Sequence, residues 1–214
     1  MSDGKVFVPH KMSANEIDNL VDKLTTLIGF IDDKDRSKGL SRLFDDLGQE
    51  FIEAPASPKL EWHNCMPGGL AEHSIRVVEF LKEILDVFHP ETYDISTIVT
   101  VGLLHDLGKV GDIDNPAYVE NESDWHKTNQ GKYYNYNDKL LPWMLHSHRS
   151  LYLLQKYGIV LSAEEFQAIL IHDGQYGSSN SAYAQKESPL ALCLHQADMQ
   201  ACAFENKRWR ELNE

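Results

Sequence analysis

Apolar residues recur at helical spacing along most of the chain. Ile17, Leu20, Val21, Leu24, Leu27, Ile28 and Ile31 share one face of a helical period, which predicts a first helix. Ser13 with Glu16 three positions on gives it a capping-box start. A second, shorter helix is expected around Leu40, Leu43, Phe44 and Leu47, ended by the break Ala54-Pro55-Ala56-Ser57-Pro58. Pro67-Gly68-Gly69 then opens a long amphipathic helix carrying Leu70, His73, Val77, Leu81 and Ile84. The next helix runs from about Ile95 through Leu104 and delivers His105-Asp106 at its C-terminal end. Periodicity fails over residues 111–142, a stretch rich in Asp, Asn and Tyr that includes Trp125, Tyr133, Tyr134 and Tyr136. An irregular segment of that length is expected to act as a lid over a pocket. Helical spacing resumes over residues 147–157 and again from Ser162, where Ser162 and Glu165 repeat the capping box. A last helix begins at Ser188-Pro189 and carries Leu190, Leu194, Ala197, Asp198 and Ala201. With no alternating strand pattern and no internal repeat, the expected fold is all-α. Residues 1–50 would form a helical segment packed on a main domain of residues 51–214.

Composition narrows the class. The chain has 214 residues, 42% of them hydrophobic and 25% charged, which suits one globular domain with a sizeable core. No apolar run approaches the roughly 20 residues that span a bilayer, and residues 1–11 lack the apolar core of a signal peptide. Three cysteines, Cys65, Cys193 and Cys202, make no disulfide framework and point to a cytoplasmic setting. The net charge of −13 repels a nucleic-acid duplex and attracts metal cations, which favours a small phosphate ester over a polymer.

Ten histidines bring candidate chemistry. A lone histidine on an apolar helix face is ordinarily a hydrogen-bonded core residue. Here, however, His73 lies in line with Leu70, Val77 and Leu81, the pair His105-Asp106 follows an apolar run, and Asp198 falls between Leu194 and Ala201. Buried carboxylates beside leucines cost several kcal/mol, roughly, unless they are paired or bind a metal. Imidazole and carboxylate together suit transition metals, whereas magnesium prefers oxygen alone.

Three blocks carry a family resemblance: Gly68-Gly69-Leu70-Ala71-Glu72-His73-Ser74, Leu103-Leu104-His105-Asp106-Leu107-Gly108-Lys109, and His195-Gln196-Ala197-Asp198. In order and content they resemble the H…HD…D pattern of HD-domain phosphohydrolases, over about residues 50 to 205. Ala54-Pro55-Ala56-Ser57 also resembles a subgroup that includes HD-type 3′-5′ exoribonucleases, whose nucleic-acid-binding OB domain has no counterpart here.

The resemblance implies an HD-domain helical bundle in which His73, His105, Asp106 and Asp198 bind a first metal. It implies a second site from His146 and His172, with Asp106 bridging. His146 opens His-Ser-His-Arg-Ser, similar to the subgroup's H-x-E-[KR]-S block; His148 stands where the subgroup has an acid, so the choice between His146 and His148 stays open, with His146 preferred. One or two divalent ions are implied, with manganese, iron, cobalt or nickel ranked ahead of zinc and magnesium. Asp106 and Lys109 are the implied catalytic residues. Lys109 and Arg149 are the candidate phosphate contacts, although a lysine at a helix end and an arginine on a solvated face are the plain alternatives. Glu72 and Asp173 are candidate supporting acids, and the aromatic stretch from Trp125 to Tyr136 could stack on a base. The implied activity is hydrolysis of a nucleotide or related phosphate ester by metal-activated water. The alternatives are a mixed-valent di-iron oxygenase and a non-catalytic nucleotide sensor.

Overall fold

In the computed structural model, residues 8–175 and 177–213 are described. Residues 1–7, part of the stretch read as lacking a signal peptide, lie outside them, as do Tyr176 and Glu214. The fold is all-α, with eight α-helices and four very short strands among the described residues. Helix α1 (Ala14–Ile28) starts at the capping box the sequence announces: the Ser13 hydroxyl accepts the Glu16 N–H, and the Glu16 carboxylate accepts the Ser13 N–H at 2.7 Å. Its Leu20 and Leu24 are buried.

Helix α2 (Lys34–Glu53) is longer than α1, contrary to the expectation of a shorter helix. Its first turn is polar, so apolar periodicity begins only at Leu40. The true start is the Asp33 cap, which accepts the Arg36 N–H at 2.7 Å. From that first turn the Arg36 guanidinium reaches Glu165 at 2.8 Å and Thr100 at 3.1 Å, joining three helices.

Helix α3 (Gly69–Phe88) is the central element and packs against α4 (Ile95–Leu104) and α8 (Pro189–Asn213). Leu70, Val77 and Leu81 of α3, Leu103 and Leu104 of α4, and Leu194, Ala197 and Ala201 of α8 share one core. Helices α1 and α2 cover α3. The α3–α4 approach depends on Gly102, where an added Cβ would lie 2.8 Å from the Val78 side chain and 3.0 Å from its Cα. Helices α6 (His146–Lys156) and α7 (Ala163–Ile171) complete the bundle, α7 with its own capping box at Ser162 and Glu165. No helix among the described residues is long and apolar enough to cross a membrane.

Residues 111–142 are more ordered than the lost periodicity implied. Strands β1 (Gly111–Asp112) and β2 (Asn115–Pro116) pair antiparallel, as do β3 (Tyr118–Glu120) and β4 (Tyr134–Tyr136), with Tyr118 opposite Tyr136. Helix α5 (Asp124–Gln130) joins the second pair and is capped by Ser123. Gly111 has φ +95°, a conformation that favours glycine. Polar side chains hold the segment together. Asn137 donates to Asn115 and to the Pro116 carbonyl, both at 2.8 Å, and Asn121 donates to the Lys132 carbonyl at 2.9 Å. Amides buried in this way replace apolar packing, so no hydrophobic period marks the segment.

Candidate metal centre

Side chains from several helices and helix ends converge on one carboxylate. His73 projects from α3, His105 ends α4, and Asp106 follows it immediately. Lys109 closes a short 3-10 turn (Leu107–Lys109), His146 begins α6, His172 ends α7, and Asp198 lies on α8. His73 and His105 are 0% exposed, His172 1% and Asp106 2%, so these groups are withdrawn from bulk water.

The two oxygens of Asp106 face different neighbours. Oδ2 lies 3.4 Å from His105 Nε2, 3.8 Å from His73 Nε2 and 2.6 Å from Lys109 Nζ. Oδ1 lies 3.5 Å from His146 Nε2 and 3.4 Å from His172 Nε2. Asp198 Oδ1 approaches His73 Nε2 at 3.0 Å. Asp173, half exposed, stands 3.2 Å from His146 Nε2. All six residues read from the sequence as metal ligands are thus brought together, and His146, not His148, is the one beside Asp106. His148 is exposed and lines an apolar groove with Met144, Leu151 and Phe166.

Each buried imidazole is anchored on its outer nitrogen. His105 Nδ1 donates to the Gly102 carbonyl at 2.9 Å and His172 Nδ1 to the Ile169 carbonyl at 2.8 Å. His73 Nδ1 meets the Glu205 carboxylate at 3.1 Å. A donor hydrogen fixed on Nδ1 leaves Nε2 of a neutral imidazole as an inward lone pair, the usual second-shell support of a metal ligand. Correspondingly, His73 Nε2, His105 Nε2 and Asp106 Oδ1 are buried without an aligned hydrogen bond. His146 Nε2 and His172 Nε2 face each other at 3.2 Å. Buried polar atoms are rarely left without partners. These donors therefore fit a cation among them, and the imidazole–carboxylate mixture fits a transition metal.

The electrostatics agree. Burial opposes the charge on Asp106, but Lys109, His105 and His172 outweigh it and hold the carboxyl well below its usual range. Burial likewise opposes the charge on Asp198, where the contact with His73 wins and the carboxyl is held low. Burial alone would depress His73, yet Glu205 and Asp198 push it up to about 10. His172 is pushed up to about 9, where contact with Asp106 and the charge of Asp173 outweigh burial. Lys109 is held above the ordinary lysine range because Asp106 and Tyr118 outweigh its burial. Charged groups buried this closely are stable as a set only when charge is balanced across them.

Two groups escaped the sequence reading. Glu205 is buried, holds His73 and also pairs with Arg76. Its signal was its place seven residues beyond Asp198, two helical turns along the same face of α8. Ser150 accepts the Gly108 N–H at 2.8 Å and donates to the His105 carbonyl at 2.8 Å, tying the His-Asp turn to α6.

Arg149 matches neither the solvated face nor an open phosphate contact. Its side chain is 1% exposed, with Nη1 on Asp112 at 3.2 Å and Nη2 on the Pro142 carbonyl at 2.7 Å. It ties both ends of the 111–142 segment to α6. Glu72 points away from the centre, bound by Arg76 and Arg208. His195 Nδ1 donates to the His172 carbonyl at 2.7 Å, a supporting position.

A helical domain that gathers histidines and aspartates from successive helices and helix ends, with a His-Asp pair at its hub, defines a class of metal-binding folds. The family model of the HD domain matches residues 70–199, and the chain belongs to the HD-domain family. That range takes in His73, the His105-Asp106 pair, His146, His172 and Asp198. No curated protein and no solved structure matches the chain.

Proposed function

We propose that the protein is a metal-dependent phosphohydrolase that cleaves a nucleotide or related small phosphate ester. The observation that carries this reading is the set of buried, inward-facing donors around Asp106 whose outer nitrogens are already anchored. His73, His105, Asp106 and Asp198 would hold a first ion, and Asp106, His146 and His172 a second. Bound there, divalent cations would supply hydroxide near neutral pH and neutralise phosphoryl oxygens.

The chain's own groups do the rest. Lys109 stays charged beside Asp106 and offers its ammonium to a phosphoryl oxygen, where charge spreads during transfer. Asp106 keeps its carboxylate oriented between two sets of imidazoles. A cavity of about 370 Å³ beside Lys109 is lined by Tyr118, Tyr134, Asn115 and Glu50, and suits the organic part of a small ester. Tyr118 and Tyr134 lie on one face of the β3–β4 ribbon, since alternate strand residues point the same way. The net charge of −13 supports a small substrate over a polymer.

The decisive experiment is turnover by manganese-loaded protein on mono-, di-, tri- and cyclic nucleotides, followed by chromatography. Product formed by the native chain and lost in Asp106→Ala is the expected result. Absence of product from protein shown to hold metal overturns the reading, and oxygen consumption by the iron-loaded form would then point to the di-iron oxygenase.

A further inference from the structure

His63 sits on the loop before α3 and belongs to none of the metal-ligand assignments above. Its ring lies 4.8 Å from that of His73, tilted by 43°. Its Nε2 is buried and has no hydrogen-bond partner, like the inward nitrogens of His73 and His105. Lys109, Asp106 and Asp198 all lie within electrostatic reach of it.

The loop is held firmly enough to aim this nitrogen. The buried Ser57 hydroxyl lies 2.5 Å from the His63 carbonyl and 3.4 Å from the His63 N–H. The next residue, Asn64, donates to Glu72 at 3.1 Å and accepts from Arg208 at 3.2 Å. A buried nitrogen left without a partner is costly, so a ring kept there by such bracing points to a partner supplied from outside.

A role as another metal ligand fits poorly. His63, His73 and Cys202 bring ligand atoms within 4.8 Å of one another. However, the inward nitrogen of His73 already faces Asp106 and Asp198, and Cys202 donates its S–H toward Asp198 at 3.5 Å, as a thiol and not a thiolate. His63 stands beside the ligand set, on the His73 side.

We propose that His63 Nε2–H is a hydrogen-bond donor to the substrate's phosphoryl oxygen, acting together with the ammonium of Lys109. This rests on the phosphohydrolase reading for its substrate, but it is testable by binding alone. The probe is inorganic phosphate, titrated calorimetrically into manganese-loaded protein, with metal content measured in parallel. His63→Phe keeps the ring packing against His73 and removes the donor, and His63→Gln replaces the donor. The expected result is unchanged metal stoichiometry in both, phosphate affinity at least about tenfold weaker in His63→Phe, and partial recovery in His63→Gln. Native affinity in His63→Phe, or no phosphate binding by the native protein, overturns the proposal. Loss of an ion from either variant also overturns it, by making His63 a ligand. Phosphate binding that depends on His63 without any turnover of esters would sustain it while removing the hydrolase reading.

Discussion

The two nitrogens of His73 meet two carboxylates, Glu205 on Nδ1 and Asp198 on Nε2. Together these push its titration up to about 10, which favours the charged imidazole. A cation entering the site must therefore displace a proton, and the carboxylate on the outer nitrogen then makes the ring a stronger donor. Glu205→Gln keeps the shape but removes that charge. The expected outcome is a metal affinity about 10–100-fold weaker, with fewer protons released on loading, measured by manganese titration against a chelating dye. Unchanged affinity would leave Glu205 as a partner of Arg76 alone. At this scale the sequence exposed the residues with a motif around them, such as His73 and the His105-Asp106 pair. Residues whose meaning comes from a distant partner stayed hidden. Glu205 meets His73 across 132 positions, and the buried Arg149 meets Asp112 across 37. Spacing along α8 puts Glu205 in line with Asp198, but no local pattern names the partner in either meeting.

At the scale of elements, legibility followed the source of stability. Both capping boxes form because the bonds lie within three residues. Helices α1, α3, α7 and α8 were readable because each buries an apolar stripe, and α4 because it is apolar and buried nearly all round. The α2 start and the ribbon of residues 118–136 were not, since a charged first turn and buried asparagines leave no hydrophobic trace. The α3–α4 crossing was equally silent, although it sets the site. Gly102 lets α4 rest on Val78, and its carbonyl holds His105 Nδ1 at 2.9 Å. Alanine favours a helix interior over glycine by about 1 kcal/mol, so a free helix would gain from Gly102→Ala. In the folded protein the added methyl meets backbone as well as side chain. We expect a net destabilisation of about 1–3 kcal/mol in urea unfolding, accompanied by weaker metal binding as His105 shifts. A stabilised variant would show that the two helices separate freely.

For the molecule as a whole, acid sensitivity gathers where α3 and α8 meet. Burial pushes the Glu72 carboxyl up, but Arg208 and Arg76 outweigh it and hold it below its ordinary 4.5. A carboxyl lowered on folding adds stability that is complete above its unfolded value and fades as pH falls through the lower folded one. Thermal midpoints of the native protein and Arg208→Ala should therefore differ most at pH above 4.5 and draw together as the pH falls below it. Parallel curves would deny the pair any part in acid stability. The same long-range construction bears on chain connectivity. His73 and the His105-Asp106 pair precede residues 111–142, while His146, His172 and Asp198 follow them. An ion held by both groups would act as a cross-link between the two halves, closing a long loop and stripping conformational freedom from the unfolded chain. Cut within that segment, the loaded protein would stay in one piece.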